Sequence, residues 1–266
     1  MCLIAFSWQP QSRRLLLLAN RDEFYIRPTL AADWWPDSPN VWAGRDQQAG
    51  GTWLGVNRSG RFAALTNVRE GQMRVGQRSR GELVSNFLIS PLSPQAYLEQ
   101  VLGQGDEYAG FNLLLGDLNL GQELGQLWYG GNRIGAEARR LSAGTYGLSN
   151  AQLNTPWPKL SRLKQGLTQL DRFDEARAFA LLDDTTLAAS DTLPHTGVSP
   201  ELELLLSSAF IHSAEYGTRA QTLLRIDGPQ LEIIERSRGS QAELLSTQRL
   251  QLTLDATATL RSGHVR

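Results

Sequence analysis

The only cysteine of the sequence, Cys2, stands directly after Met1. Because cysteine is small, removal of Met1 by the cell's aminopeptidase is expected to leave Cys2 with both a thiol and a free α-amine. The reference pKa of such an amine is about 7.7 to 8.0, so it can accept the thiol proton near neutral pH. A nucleophile that carries its own base is a known catalytic arrangement. The alternative is that Cys2 is a small apolar residue at the start of a buried strand.

Two short apolar runs, 2–8 and 14–19, predict a pair of antiparallel strands that includes Cys2. They are separated by a turn that contains Pro10, which is hairpin spacing. A turn centred near Pro10 pairs residues whose numbers sum to about 21 to 23. The hairpin therefore places residues 19–21 beside Cys2.

The charged residues at the end of the second strand are candidates for tuning this thiol. The segment reads Asn20-Arg21-Asp22-Glu23. The guanidinium of Arg21 beside the thiol would lower the thiol pKa, and the carboxylate of Asp22 could orient the α-amine or Arg21. A solvated charged turn is the alternative interpretation of the same run.

A second predicted hairpin, 52–56 with 61–66, brings an amide to the same region. The loop between its strands reads Asn-Arg-Ser-Gly, whose ends tolerate left-handed backbone. The resulting register sets Asn67 opposite the glycine pair at 50–51, and an amide beside backbone N–H groups can stabilise a tetrahedral oxyanion. A buried asparagine that satisfies loop backbone is the alternative, and both interpretations also apply to Asn150.

The remaining periodicity predicts an α+β fold of antiparallel sheets, with strands and helices in segregated blocks. Further strands are expected at 111–115, 126–129, 209–212, 221–226 and 231–235, and helices at 82–89, 94–102, 159–170 and 174–182. The segment 25–48, rich in proline and tryptophan, is expected to be a long functional loop. Because no linker or repeat interrupts the chain, one domain over residues 1–266 is the simplest assignment.

Composition narrows the classes of function. The chain carries 26 Lys and Arg against 27 Asp and Glu, a balance that argues against nucleic-acid or anionic-membrane partners. One cysteine cannot form an internal disulfide or a cysteine-clustered metal site, and it suits a reducing cytoplasm. The longest aliphatic run, 15–19, is far shorter than the roughly 20 residues of a membrane span. We therefore expect an intracellular protein without a transmembrane segment.

The sequence contains no cofactor motif. No glycine-rich phosphate loop precedes a helix, and His195, His212 and His264 lack the spacing of metal ligands. We therefore expect no cofactor and no metal, and a small molecule as substrate or ligand. A haem axial role for His212 is the less favoured alternative to a satisfied histidine at a strand end.

Several motifs, in order along almost the whole chain, resemble those of the NRDE family, which includes the homologues of transport and Golgi organisation protein two. The motifs are Met1-Cys2-Leu3, Ala19-Asn20-Arg21-Asp22-Glu23-Phe24 with Arg27-Pro28-Thr29, Ala43-Gly44-Arg45-Asp46 with Gly50-Gly51-Thr52-Trp53-Leu54-Gly55, Ala64-Leu65-Thr66-Asn67-Val68-Arg69, Leu148-Ser149-Asn150 with Thr155-Pro156-Trp157-Pro158-Lys159, and Tyr216-Gly217-Thr218-Arg219.

The resemblance implies a four-layer αββα N-terminal-nucleophile fold, similar to that of the bile-salt and penicillin V hydrolases. In those enzymes a cysteine exposed by removal of Met is assisted by an arginine, an aspartate and two asparagines. The positions here that match are Cys2, Arg21, Asp22, Asn67 and Asn150. Arg219 aligns loosely with a further, late arginine of those enzymes.

Two functions are compatible with these residues. In the first, the protein is a cysteine hydrolase of a small amide-linked substrate, acting on non-peptide C–N bonds. Cys2 attacks the carbonyl, its α-amine accepts the proton, and the two asparagines stabilise the oxyanion. In the second, the same fold binds and carries haem or an acyl-CoA-like lipid, roles with which eukaryotic members of the family are linked.

Contacts to the substrate or ligand are expected from Asn20, Arg45, Trp53, Arg69 and Arg219. In a carrier the arginines would meet carboxylates or phosphates, and an apolar wall would be formed by Trp34, Trp35, Trp42 and Trp53. The alternative is that these tryptophans pack the 25–48 segment onto a sheet.

Overall fold

The computed structural model describes residues 2–71, 76–118, 125–133, 135, 137–170 and 174–254. Within them the strands are β1 (Cys2–Gln9), β2 (Arg14–Phe24), β3 (Thr29–Trp35), β4 (Ser38–Asp46), β5 (Leu54–Asn57), β6 (Arg61–Asn67), β7 (Phe111–Asp117), β8 (Gln126–Gly131), β9 (Arg139–Arg140), β10 (Gly144–Leu148), β11 (Tyr216–Asp227), β12 (Gln230–Arg238) and β13 (Leu244–Thr253). The α-helices are α1 (Gly81–Ile89), α2 (Pro94–Gly103), α3 (Pro158–Thr168), α4 (Glu175–Leu182) and α5 (Pro200–Leu205).

The first sheet is built around the predicted N-terminal hairpin. Its six strands lie in the order β10-β1-β2-β11-β12-β13, all antiparallel. The turn between β1 and β2 is a short 3₁₀ helix, Pro10–Ser12, followed by Arg13 in the left-handed region. This turn sets a register in which Cys2 pairs with Arg21, as the spacing of the two apolar runs predicts.

The second sheet contains the other predicted hairpins. Its seven strands follow the chain order from β3 to β9. The expected pairs of strands are the hairpins β5–β6 and β7–β8, and β6 also pairs with β7, where Asn67 lies opposite Phe111. Asn67 is therefore the last residue of a central strand rather than part of a free loop.

The two sheets pack face to face between two layers of helices. Helices α3 and α4 pack on the first sheet, and α1 and α2 pack on the second. Strand alternation explains this order. Ile4, Phe6 and Trp8 face the apolar core between the sheets, whereas Leu3 and Ala5 face the core under α3 and α4. The α+β class and the four αββα layers are thus confirmed.

Helix boundaries follow local signals in the sequence. The hydroxyl of Ser93 accepts a hydrogen bond from the Ala96 N–H at the start of α2, and the Asp174 carboxylate accepts one from the Arg177 N–H at the start of α4. Such caps satisfy backbone donors that have no partner in the first turn. Among the described residues, no helix is long and apolar enough to cross a membrane.

The expectation of a long loop over 25–48 is wrong. This segment forms the hairpin β3–β4, in which Trp34 pairs with Trp42. Pro28 and Pro36 flank β3 at the edge of the second sheet, where a missing N–H costs no ladder hydrogen bond. The prolines therefore mark the ends of an edge strand, and the aromatic residues between them stabilise its pairing.

The expected strand at 209–212 is also wrong. The Phe210 N–H donates to the Asp184 carbonyl, and the Ile211 N–H donates to the hydroxyl of Thr218. Because these two backbone N–H groups do not donate to a neighbouring strand, no strand forms here, and the described pairing of the segment is an isolated bridge from His212 to Gly217. Besides β3 and β4, pattern analysis missed β9, β10, β13 and α5.

A buried carboxylate links the two sheets. Glu235 lies on β12, and its Oε1 accepts a hydrogen bond of 2.8 Å from the Ala32 N–H of β3. Burial raises its pKa from 4.5 to about 7. The folded protein therefore holds this proton more tightly than the unfolded chain does.

We expect Glu235→Gln to stabilise the protein at alkaline pH. Since the pKa of Glu235 is higher in the folded state, its favourable contribution is fully present below about pH 4.5 and is lost as the pH rises through 7. Gln keeps an acceptor for Ala32 and carries no charge. Urea unfolding should show the variant more stable than wild type near pH 8, by up to about 3 kcal/mol, and the difference should shrink near pH 4.5. An equal difference at both pH values would contradict this role.

Candidate active site

A pocket of about 490 Å³ opens between the ends of the two sheets. Its walls come from the end of the β1–β2 hairpin, the end of β6 and the residues that precede α1. Residues from both sheets line it, among them Cys2, Arg21, Asp22, Glu23, Arg27, Asp46, Thr52, Trp53, Leu65, Asn67, Val68, Glu70, Arg78 and Arg80. Four of the five residues expected to be catalytic thus lie at one cavity.

Cys2 and Arg21 share the inner face of the first sheet. Cys2 is 8% exposed and Arg21 is 5% exposed. The Arg21 guanidinium lies 4.2 Å from the centre of the Trp53 ring, and its Nη1 donates to the Thr29 hydroxyl at 3.4 Å. A stacked guanidinium of this kind is held in one orientation beside the thiol.

The expected acidic thiol is not what the structure supports. Burial is the largest influence on Cys2, and it raises the thiol pKa above its ordinary value of 9.0. Asp22 raises it further, and Arg21 opposes both effects without reversing them. A buried thiol that stays protonated at neutral pH needs a base to become a nucleophile.

Asp22 is anchored on the opposite face of β2. It is 1% exposed, and its Oδ1 accepts a 2.7 Å hydrogen bond from the Thr218 hydroxyl on β11. Burial raises the Asp22 pKa, whereas Lys159 and Arg21 lower it. Asp22 thus contributes to the pocket lining, while its carboxylate lies on the helical side of β2 with its orientation fixed by a neighbouring strand.

Lys159 is a buried cation near Asp22 that sequence reasoning did not select, and it does not line the pocket. It lies at the start of α3, is 2% exposed, and its Nζ donates to the Leu206 carbonyl at 2.8 Å. Burial lowers its pKa to about 8, and the nearby Asp22 opposes this shift. The available signal was a lysine placed directly after a proline at a helix start, on a face that is otherwise apolar.

We expect Asp22→Asn to lower the pH at which Cys2 becomes reactive. Asp22 is one of the charges that raise the thiol pKa, and Asn keeps an oxygen that can accept the Thr218 hydrogen bond. The measurement is the pH dependence of alkylation of Cys2 by neutral iodoacetamide, in a chain extended at its amino terminus. Glu235→Gln is the matched control, since it also removes a buried carboxylate. An unchanged midpoint in Asp22→Asn would remove Asp22 from the electrostatics of the thiol.

The two asparagines have different positions. Asn67 lines the pocket, and its side-chain amide makes no hydrogen bond to the residues that the structure describes. Asn150 is fully buried outside the pocket lining, and its Nδ2 donates to the Asn67 backbone carbonyl at 2.9 Å. Asn67 is therefore available to a ligand, whereas Asn150 holds the end of β6 in place.

The glycine pair at 50–51, whose N–H groups were expected beside Asn67, does not line the pocket. The Gly50 N–H donates to the Asp46 carbonyl instead.

Asn20 does not reach the pocket, contrary to expectation. Its neighbour Arg21 faces the pocket, so strand alternation turns Asn20 toward the helical layer. There its Nδ2 donates to the carbonyls of Leu182 and Ala209, at 2.8 and 2.9 Å. Asn20 thus ties β2 to the end of α4 and to the irregular segment before β11.

Three arginines expected to bind substrate are engaged elsewhere. Arg45 forms an ion pair with Asp37 and stacks on the Trp35 ring. Arg69 is buried in an ion pair with Glu203. The third, Arg219, donates from Nη1 to the carbonyls of Phe24, Tyr25 and Arg27 and so fixes the turn after β2. None of these three arginines lines the pocket.

The expected tryptophan wall does not form. Trp53 lines the pocket, whereas Trp35 and Trp42 lie in two different apolar cores and Trp34 packs against one of them. These three tryptophans pack the β3–β4 hairpin onto the fold, which is the alternative that their positions left open. His212 lies outside the pocket and contacts the Ser240 carbonyl. In the described part of the chain, no group of three His, Cys, Asp or Glu residues is arranged to hold a metal ion.

Sequence reasoning also missed the charged rim of the pocket. Arg27 and Asp46 form an ion pair of 2.7 Å, and Arg78 pairs with Glu82 and Glu107. The signal for the second group was a basic segment directly before a predicted helix, Arg78-Ser79-Arg80. In the sequence this segment follows the predicted hairpin that ends at Asn67, the candidate amide of the site.

Comparison with known proteins agrees with the order of the sequence motifs. The family model described as Transport and Golgi organisation 2 matches residues 1–240. This chain belongs to that family. The Transport and Golgi organization protein 2 homolog of Bos taurus is 39% identical over 247 residues, which cover 85% of this chain and 89% of the relative. The Homo sapiens homolog is 37% identical over 252 residues, with the same coverage of 85% and 89%.

Solved structures with a similar chain path include hydrolases. One is an N-acylethanolamine-hydrolyzing acid amidase ortholog from Caenorhabditis elegans, 11% identical with a TM-score of 0.41, covering 84% of this chain and 92% of that one. Another is a mutant conjugated bile acid hydrolase from Clostridium perfringens, 10% identical with a TM-score of 0.38, covering 96% and 98%.

Proposed function

We propose that this protein is an N-terminal-nucleophile cysteine hydrolase that cleaves a non-peptide C–N bond in a small amide-linked substrate. The observation that supports this most directly is that Cys2, the single cysteine, opens β1 at the wall of a pocket that also contains Arg21, Asp22 and Asn67. A reducing cytoplasm, in which a lone thiol stays reduced, is the compartment we propose for it.

The base in this proposal is the α-amine of Cys2 after removal of Met1. Burial raises the pKa of the thiol, so the thiol carries its proton at neutral pH and cannot attack a carbonyl unaided. An α-amine titrates near pH 7.7 to 8.0 in general, which makes it able to take that proton. Asp22 at the pocket edge supplies the negative charge that orients the resulting ammonium group.

The reaction then proceeds in two steps. The sulfur attacks the carbonyl carbon while the amine takes the thiol proton, and the oxyanion receives a hydrogen bond from the Asn67 amide. The C–N bond breaks, and the leaving amine takes the proton from the ammonium group. Water then attacks the thioester, releasing the acid and restoring the thiol. Arg21, stacked on Trp53, orients the nucleophile from the neighbouring strand.

The carrier function has less support from the geometry. Its apolar wall required four tryptophans, of which one lines the pocket, and the polar arginines assigned to it are occupied by Asp37, Glu203 and backbone carbonyls. The charged rim of this pocket suits a small polar substrate better than a large apolar ligand.

The test is a panel of N-acyl amino acids, bile-salt conjugates and acyl-CoAs, assayed on the processed protein and on a chain with an uncleaved amino-terminal extension. Intact mass establishes that Met1 is absent from the first sample. We expect amide hydrolysis by the processed protein and loss of that activity in the extended chain, because the extension converts the base into a peptide nitrogen. Equal turnover by both samples would contradict the proposed base. Haem titration on the same samples tests the carrier alternative.

A further inference from the structure

Arg80 is a cation of the pocket without a carboxylate partner among the residues that the structure describes. It precedes α1 and is partly buried, and its Nη1 donates to the Gly110 carbonyl at 3.0 Å. Among the residues that the structure describes, no carboxylate oxygen lies within 4.0 Å of its guanidinium nitrogens. Burial lowers its pKa, with Cys2, Glu23 and Glu70 acting in the opposite direction, so the guanidinium lies within electrostatic reach of the thiol.

The other arginines that line the pocket are already engaged. Arg27 is paired with Asp46, and Arg78 with Glu82 and Glu107. Arg21 lies over Trp53 and is 3.9 Å from a Glu23 oxygen. Among the described residues, Arg80 is therefore the arginine of this lining that has no carboxylate or aromatic partner, and apart from the Nη1 bond to Gly110 its N–H donors make no hydrogen bond to them.

The backbone that carries Arg80 is held in place. Gly51 packs so closely on the start of α1 that a Cβ on it would lie 2.4 Å from the Gly81 carbonyl carbon. The Thr52 N–H also donates to the Gly81 carbonyl at 3.2 Å. A fork presented from a fixed backbone loses little conformational freedom when it binds an anion.

We propose that Arg80 binds a carboxylate of the substrate, so that the site acts on anionic amides. The inference rests on the proposed hydrolase function and narrows its substrate class. A partly desolvated guanidinium without a counter-ion gains most from a group that accepts two parallel hydrogen bonds, which a carboxylate does. Leu65, Val68 and Trp53 form the less polar part of the same wall and would contact the rest of the substrate.

A pair of alkylating reagents tests this without a known substrate. Iodoacetate and iodoacetamide have nearly the same shape, and only the first carries a carboxylate. The Cys2 sulfur displaces iodide from either one, and because Cys2 is the only cysteine, total alkylation reports on this site alone. The measured quantity is the ratio of the two rate constants, which cancels the effect of the thiol pKa.

We expect the ratio of iodoacetate to iodoacetamide rates in wild-type protein to exceed that of a cysteine peptide at least about tenfold, as one charge-assisted hydrogen bond implies. Arg80→Gln should lose most of this excess and Arg80→Lys should keep part of it. Arg14→Gln is the matched control. It removes the same charge, but Arg14 lies at the far end of β2, beside Asp227 and away from the pocket.

Two outcomes would overturn the proposal. One is a wild-type ratio no higher than that of the peptide, which needs no variant to fold. The other is an excess that persists in a folded Arg80→Gln protein, which would assign the preference to another group. Failure of the hydrolase function is separate, since it would appear as absence of turnover across the amide panel while the alkylation ratios remained as expected.

Discussion

Cys2→Ser is expected to reduce amide hydrolysis by about 10³-fold or more while leaving the fold nearly unchanged. The hydroxyl of serine is far less acidic than a thiol and a weaker nucleophile, so the same α-amine cannot activate it as well. One oxygen replaces one sulfur in a site that already tolerates polar neighbours, so the free energy of unfolding should change by less than about 1 kcal/mol. Steady-state turnover on the best substrate of the panel and urea unfolding measure the two quantities.

The combination of results separates a nucleophile from a core residue. Retained turnover in Cys2→Ser would show that the sulfur takes no part in the reaction. A loss of several kcal/mol of stability would instead support the alternative that Cys2 is a packed residue at the start of a buried strand. Cys2→Ala, assayed beside it, should be equally inactive, because neither variant offers a thiolate.

Glu203→Ala is expected to destabilise the protein by about 3 to 5 kcal/mol, because it leaves a buried charge without its partner. The side chains of Arg69 and Glu203 are 4% and 5% exposed, and Arg69 Nη1 donates to Glu203 Oε2. The other carboxylate oxygen, Oε1, accepts hydrogen bonds from the N–H and the hydroxyl of Thr196. Thermal and urea unfolding should show the loss at neutral pH.

A double variant tests the cause of that loss. Replacing both partners by apolar residues of similar size, as in Arg69→Met with Glu203→Leu, removes the unpaired charge and should recover much of the stability. Equal destabilisation in the single and double variants would mean that the Thr196 hydrogen bonds, rather than the uncompensated guanidinium, dominate the effect of Glu203→Ala.

Local patterns in the sequence were enough to locate the proposed nucleophile and its neighbours. A turn at Pro10 between two apolar runs set the pairing of Cys2 with Arg21, because strand register depends on turn length and on alternation over a few residues. The hairpin that ends at Asn67 and the helices expected at 94–102 and 174–182 were accessible for the same reason.

The assignment of charged residues to the pocket depended on long-range packing. Asn20 and Arg21 are neighbours in sequence, yet one faces the helical layer and the other the pocket, and no local pattern tells which face closes a site. Arg69 pairs with Glu203 in a helix that pattern analysis did not find, so its role could not be known. Arg80 was not singled out, because its lack of a carboxylate partner among the described residues is visible only once the nearby carboxylates have been placed.

The environment of the Cys2 thiol depends partly on residue order and partly on tertiary packing. The sequence by itself determined that one cysteine follows Met1 and stands across a strand pair from an arginine, since those facts depend on residue order and turn length. Only the tertiary structure decided that the thiol pKa rises, because desolvation by the packed sheets outweighs the attraction of the nearby positive charges. Burial is a property of the whole fold, whereas pairing in a hairpin is a property of about twenty consecutive residues.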